Sequence, residues 1–400
     1  MNQDRIDVLH AVTSSLSLRL LRGQLRYLKA HGFRTAVLCG PGPFVEETRS
    51  QETVPVFTIR MERESSPLRD FVSLLRICRL LRHLRPTICN VGTPKAGMLV
   101  SLAAWLIRVP CRIYTLRGLR LETAHGLKRR ILFITELIAC ACVHRVVCVS
   151  PSLRERAVEL GLVRREKTTV LASGSSNGID PSRFVPTPER LARVADIRRR
   201  LRLPPGCAVI GYIGRFTKDK GISELLAAFQ SVRKHFPDVQ LLLIGEYEQG
   251  NPVPRETQKA IESTPGIFKI DFQTDIAPYF LAMEIFVLPT HREGFPNTVL
   301  EAQAAERPVV TTHATGAIDS VVDGVTGMLV PVGDVAALSD ALLKLLSDPV
   351  RARQMGCAGR DRICREFCQE TIWGALAALY DEMMPQMDCR CRSQTNAENA

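Results

Sequence analysis

Two doubly wound α/β domains are the fold class that this 400-residue sequence predicts. Three observations predict it. Short apolar runs of strand length alternate with helix-period segments along nearly the whole chain. The runs are apolar on both faces, as strands of a parallel sheet covered on both sides must be. The series also restarts after a stretch rich in proline and polar residues over 180–188.

The elements follow in order. Residues 6–12 read as a first strand. A helix then runs through Leu20, Leu21, Leu25 and Leu28 and ends at His31-Gly32. Residues 35–39 form a short buried strand closed by Gly40-Pro41-Gly42-Pro43. Residues 67–85 have helical spacing, with Leu68, Phe71, Val72, Leu75, Cys78 and Leu81 opposite Arg69, Arg76, Arg79, Arg82 and Arg85. Two readings of that helix stay open: a core-facing helix with a solvated charged face, or a basic surface that docks on an anionic membrane leaflet. Further strands are expected at 88–91, 112–115 and 145–149. A helix over 191–201 opens the second series, whose strands are 208–214, 240–245, 267–270, 285–288, 308–312 and 327–330. The expected division is a first domain over 1–185, a second over 186–370, a C-terminal helix over 371–386 returning to the first, and a loose tail over 387–400. The carboxyl ends of the two sets of strands are expected to face each other across a cleft, where doubly wound sheets bind ligands.

Composition narrows the function. Apolar residues make up 46% of the chain, ample for two cores. The net charge of +12 is uneven: residues 1–180 hold 28 Lys and Arg against 14 Asp and Glu, and the rest is slightly acidic. A one-sided positive field favours a polyanion or an anionic membrane surface as neighbour, and Lys128-Arg129-Arg130 adds a second basic cluster. Nucleic acid is not the expected polyanion, because aromatics are only 6% and are not interleaved with the basic residues. The thirteen cysteines include no C-x-x-C pair, and Cys39, Cys140, Cys142 and Cys148 sit in apolar patterns. They read as free buried thiols of a reducing compartment, not as disulfides or a zinc site. Residues 131–149 come closest to a membrane span, but Glu136, His144 and Arg145 interrupt them.

The chemistry concentrates in the second series. Glu293-Gly294-Phe295-Pro296-Asn297-Thr298-Val299-Leu300-Glu301 places two carboxylates across a loop-to-helix junction. Helix-start N–H groups between them, with the positive end of the helix dipole, favour an anion. One acid can hold sugar hydroxyls and the other ribose hydroxyls, with a diphosphate over the N–H groups. Gly214-Arg215-Phe216-Thr217-Lys218-Asp219-Lys220-Gly221 follows the first strand of the same series. Its Arg215 and Lys220 are cations placed to stabilise a diphosphate as leaving group.

These motifs resemble the nucleotide-sugar domain of retaining family 4 glycosyltransferases of the GT-B fold. The likeness rests on Gly214-Arg215-Phe216, Lys218-Asp219-Lys220-Gly221, Pro289-Thr290 before Glu293, the pair Glu293 and Glu301, and the segment 323–330; Val149-Ser150 and residues 177–184 extend it into the first domain. Residues 18–25 are similar to the branch that holds capsule and lipid-linked oligosaccharide transferases. The resemblance implies that Arg215 and Lys220 bind the donor diphosphate, that Glu293 holds the donor sugar, that Gly214, Gly294, Phe295, Asn297 and Thr298 line the donor site, and that Glu301 takes the ribose. It implies retention of anomeric configuration without a metal or other cofactor. The expected donor is a nucleotide diphosphate sugar, UDP-linked, and the expected acceptor is a lipid-diphosphate-linked saccharide. The expected location is cytoplasmic, peripheral at the inner face of the plasma membrane. Loops 246–251 and 273–275 are expected to choose base and sugar.

The chain also departs from the family pattern. The loop after the first strand, Thr13-Ser14-Ser15-Leu16-Ser17, has no glycine, so hydroxyls such as Ser17 take its place. Arg117 stands where many relatives carry histidine and can pair with a phosphate of donor or acceptor, while His125 is the other acceptor-side candidate. Outside glycosyl transfer to a glycan, the alternatives are a sugar-nucleotide epimerase of the same fold and a non-catalytic polyanion binder.

Overall fold

The structure is a computed structural model that describes residues 6–62, 66–248 and 250–384. Gln249 of the 246–251 loop and the 387–400 segment, with the end of the helix expected over 371–386, lie outside the described residues.

The chain divides into two compact units, residues 1–177 with 369–400, and residues 178–368. The first unit is built on seven parallel strands: β1 Val8–Ala11, β2 Thr35–Cys39, β3 Val56–Thr58, β4 Ile88–Gly92, β5 Cys111–Leu116, β6 Arg145–Cys148 and β7 Thr168–Thr169. Their order is β3-β2-β1-β4-β5-β6-β7. Strands β1 and β2 are buried at every position, the signature of a sheet covered on both faces. β3 and β7 are edge strands of three and two residues, too short to show an apolar period in the sequence.

The helix expected through Leu20 to Leu28 is broken. Ser15–Leu21 is a 3-10 turn and Gln24–Ala30 a separate α-helix. Between them Gly23 sits at φ +80°, and a Cβ there would lie 2.7 Å from the Trp373 ring. Glu52 caps the new helix start, accepting from Gly23 N at 2.6 Å and Arg26 N at 3.0 Å. The break lets the Gln369–Met383 helix pack into the first unit. Trp373 Nε1 donates to Asn177 Oδ1 at 2.8 Å, and Tyr380 is wholly buried beside Phe33.

The second unit has six parallel strands: β8 Val209–Ile213, β9 Gln240–Ile244, β10 Ile267–Ile270, β11 Ile285–Leu288, β12 Val309–Thr312 and β13 Gly327–Val330. Their order is β10-β9-β8-β11-β12-β13. The segment after Gly178 is held in this unit, because Ile179 N donates to Phe367 O at 2.8 Å and Phe184 packs edge-on against Phe280.

Both units are thus doubly wound, with strand order reversing between β1 and β4 in the first and between β8 and β11 in the second. Ligands of such sheets bind beyond the carboxyl ends of the strands at these reversal points. The eleven described cysteines are all free and eight are buried; burial pushes the Cys39 thiol up to about 11. Among the described residues no helix is long and apolar enough to cross a membrane.

Candidate active site

The reversal point of the second unit is where the loops after β8 and β11 meet. A buried carboxylate, Asp219, ties them together. Its Oδ1 accepts from Thr217 Oγ1 at 2.6 Å and Asn251 Nδ2 at 2.8 Å, and its Oδ2 pairs with Arg292 at 2.7 Å. Its backbone carbonyl accepts from His291 N at 2.8 Å and Thr290 Oγ1 at 3.1 Å. Burial alone would raise this carboxyl, but Arg292, Thr217, Lys220 and Asn251 together hold it below the ordinary range. Gly221 completes the joint: it adopts φ +70°, and a Cβ would sit 1.9 Å from Pro289 O, so no other residue fits without moving the β11 loop.

This joint brings Lys220 and Glu293 into direct contact although they lie far apart in sequence. Both side chains are largely shielded, at 10% and 17% exposure, so the pair acts with less solvent screening than a surface bridge. Glu293 is fixed from behind by its own N–H, which donates to Thr315 O at 2.9 Å. Gly316 passes so close that its Cβ would meet Gly294 O at 2.3 Å.

From Glu293 the chain turns into the Asn297–Ala304 helix. Phe295 and Pro296 are buried, and Phe295 packs on Phe367 with ring centroids 5.3 Å apart. Asn297 and Thr298, on the first turn, are part-exposed, and Asn297 Oδ1 is a buried acceptor with no hydrogen-bond partner. Glu301 follows about one turn later, so it faces the same side as Asn297. Burial pushes its carboxyl up to about 7, with Arg183 pulling the other way.

The other cation of the expected diphosphate pair takes a different partner. Arg215 is exposed and bonds Glu248, while Tyr212 Oη donates to Arg215 O at 2.8 Å. Gly214, just before it, is hemmed by the Tyr212 hydroxyl. The structure therefore brings Lys220 against Glu293, sets Asn297 and Glu301 on the helix that follows, and leaves Arg215 on a separate surface pair. Sequence reading missed Asp219 as the organising group, together with Arg292, Asn251 and Arg183. The local signal was present, since Asp219 sits between two lysines and Arg292 precedes Glu293, but their pairing is long-range.

The first-unit candidates are dispersed among separate loops. Ser17 lies in the 3-10 turn, its Oγ 3.1 Å from Ser14 Oγ. His125 is exposed at the start of the Gly126–Cys142 helix and makes no side-chain cap bond. Arg117 follows β5 directly, and its chemistry differs from both. Burial pulls its guanidinium down to about 10, and His10 beside it is held neutral, its imidazole lowered to about 3 by burial and then by Arg117. Tyr380 Oη accepts from Asn90 Nδ2 at 2.6 Å, and Thr115 Oγ1 donates to Asn90 Oδ1 at 2.8 Å.

Comparison with known proteins decides the family. Residues 207–348 match the model of glycosyl transferases group 1, and residues 18–174 match that of the glycosyl transferase 4-like domain. The chain belongs to this glycosyltransferase family. Among its relatives is the capsular polysaccharide biosynthesis glycosyltransferase CapM of Staphylococcus aureus, 36% identical over 95% of this chain and 98% of that protein. The UDP-Gal:α-D-GlcNAc-diphosphoundecaprenol α-1,3-galactosyltransferase of Escherichia coli is 25% identical over 72% of this chain and 73% of its own. In fold, the chain is similar to Anabaena HepE solved in complex with UDP-glucose, with TM-score 0.77 at 18% identity over 94% of this chain and all of that one. As a member of the family this protein is a glycosyltransferase, and its two parallel-sheet units are the GT-B architecture that the motifs imply.

Proposed function

We propose that this glycosyltransferase moves a hexose or N-acetylhexosamine from a UDP-sugar to a lipid-diphosphate-linked saccharide in surface polysaccharide assembly, with retention at the anomeric carbon. The observation that carries the reading is the shielded Lys220–Glu293 contact at the start of the helix that bears Asn297 and Glu301. CapM acts in capsule synthesis, and the E. coli relative has a UDP-sugar and a diphosphoundecaprenol-linked sugar in its name; both support the substrate classes.

In this reading Lys220 and the first-turn N–H groups meet the diphosphate as the anomeric C–O bond breaks and the leaving oxygen takes the electron pair. Arg215 exchanges Glu248 for a phosphate oxygen. Glu293 holds sugar hydroxyls beside the reacting carbon, with Gly294, Phe295, Asn297 and Thr298 shaping the wall, and Glu301 accepts from the ribose. The acceptor hydroxyl forms the new C–O bond on the face the diphosphate leaves, and its proton passes to the departing phosphate. Ser17, Arg117 and His125 are assigned to the acceptor side. Nucleotide release that depends on a lipid-linked acceptor, with the anomeric coupling of donor and product the same by proton NMR, tests the reading. Release without any acceptor would point to an epimerase instead.

The Glu301 assignment carries a pH dependence. Burial pushes its carboxyl up to about 7, so it ionises as pH rises through neutrality, and the carboxylate accepts from ribose hydroxyls more strongly than the neutral acid does. Donor KM is therefore expected to fall as pH rises through neutrality. In Glu301→Gln the profile should be flat and the affinity at high pH about tenfold weaker, as for a lost charge-assisted bond. An unchanged slope in that variant removes Glu301 from the ribose site.

We place the first unit on an anionic membrane surface. The apolar stripe of the Pro67–Leu84 helix divides along its length. Ile77, Cys78, Leu81 and Leu84 are buried, whereas Leu68, Phe71, Val72 and Leu75 are exposed, Leu68 by 86%. The Gly126–Cys142 helix packs, like Pro67–Leu84, against Pro94–Leu106 and exposes Leu127, Ile131 and Ile134. Exposed Arg69, Arg76, Lys128, Arg129 and Arg130 accompany these apolar side chains. Such a combination binds bilayers by apolar insertion plus attraction to acidic lipid. The protein is expected to co-sediment with acidic vesicles and not with neutral ones, and Leu68→Ser with Phe71→Ser to weaken that binding. Equal recovery with both vesicle types contradicts the placement.

A further inference from the structure

The first unit has a reversal point of its own, between β1 and β4. Three segments converge there: the loop after β1 beginning at Thr13, the junction of β4 with the Pro94–Leu106 helix, and Arg117 after β5. The junction is tightly built. Thr13 N donates to Thr93 Oγ1 at 2.9 Å, the two threonine hydroxyls lie 2.7 Å apart, and Ala96 N donates to Thr13 Oγ1 at 3.1 Å. Thr93 holds φ +94°, a conformation that costs energy for a β-branched residue. The thirteen-residue helix that starts here turns its positive end toward the same place.

Arg117 gives this place its chemistry. Its guanidinium lies across Gly92, where a Cβ would come within 2.8 Å of Nε. Nε and Nη1 are shut off from solvent and have no hydrogen-bond partner, and among the described residues no carboxylate pairs with Arg117. The groups around it, His10, Tyr114 and Tyr380, are neutral. The nearby lysine on the helix start, Lys95, is already answered by Asp70 at 2.5 Å. A shielded guanidinium without a counter-charge is costly unless an anion completes it. The planar fork of arginine fits two oxygens of one oxyanion.

We infer that Arg117, at the start of the Pro94–Leu106 helix, forms a separate oxyanion site of the first unit, one that takes the diphosphate of a prenyl-linked acceptor. The inference rests on the function proposed above for the choice of acceptor, but the site itself rests on the first unit alone.

The test uses the whole protein with its donor site first filled by saturating UDP. Thermal shift is then followed on adding inorganic pyrophosphate or farnesyl diphosphate, a short prenyl probe. Both are expected to stabilise the wild type, farnesyl diphosphate at lower concentration. Arg117→Gln should raise the concentration needed at least tenfold for both probes and leave the UDP response unchanged. Removing an uncompensated charge should also leave the unliganded variant at least as stable as the wild type, and Arg117→Lys should recover part of the response. Equal responses in wild type and Arg117→Gln overturn the site. Equal potency of the two probes overturns the prenyl-linked assignment in favour of free phosphate. A fall in unliganded melting temperature with no change in probe response makes Arg117 structural. Loss of the UDP response in the wild type would instead strike the function proposed above.

Discussion

Glu293→Gln is expected to lower kcat by about 100- to 1,000-fold, the range seen when one group aimed at the transition state is removed. The glutamine keeps an oxygen for Lys220 and keeps the backbone bond to Thr315 O, so the fold should survive; circular dichroism and the UDP thermal shift check this directly. The loss should fall on kcat more than on donor KM, because the carboxylate is assigned to the sugar at the reacting carbon and not to the nucleotide. Glu293→Ala is a harsher change. It leaves the shielded Lys220 side chain, 10% exposed, without its partner, and breaking a buried pair from one side costs about 3–5 kcal/mol. Near-normal turnover in the glutamine variant would remove Glu293 from the site.

Lys220→Met is the second large effect. A charge-assisted bond is worth about 1.5–3 kcal/mol, so losing it from the leaving diphosphate should cut kcat/KM by about 100-fold, and donor KM should rise with it. Because Lys220 and Glu293 touch, their losses should not add: the double variant is expected to be little worse than the worse single one. Full additivity in that cycle would mean the contact plays no part in turnover. Lys220→Arg should not restore activity, since a planar, more weakly hydrated guanidinium does not reproduce the compact ammonium that meets Glu293.

Apart from the short edge strands β3 and β7, the strands were legible because each is an apolar run that needs no partner to be recognised, and β8 to β13 all appear near their expected positions. Right-handed crossovers narrow the order of those strands without fixing it, and the structure supplies it. What escaped depends on distant contacts. Gly23 breaks a helix because Trp373, at the other end of the chain, fills the space beside it. The exposed half of the Pro67–Leu84 stripe has the same spacing as the buried half, so periodicity could not separate them. At the site, the two carboxylates and Lys220 stand out locally as motif residues. Asp219, by contrast, looks like one more surface acid until Arg292 and Asn251 close on it. Arg215 shows the opposite case: its motif position promised a free cation, and Glu248 from the loop after β9 occupies it. The isolation of Arg117 was unreadable, because a missing counter-charge is a property of the packed unit and not of any one segment.

The most direct measurement of the donor site is a thermal-shift titration of the purified protein with UDP, GDP, ADP and their sugar conjugates. A ligand that binds only the folded protein must raise its apparent stability by mass action, by about 2.7 kcal/mol at a hundredfold excess over Kd. Stabilisation by UDP and a UDP-sugar, diminished in Lys220→Met and in Glu301→Gln, is the predicted result. Stabilisation by none of the nucleotides, or a response that both variants keep in full, would contradict a donor site built on Lys220, Glu293 and Glu301.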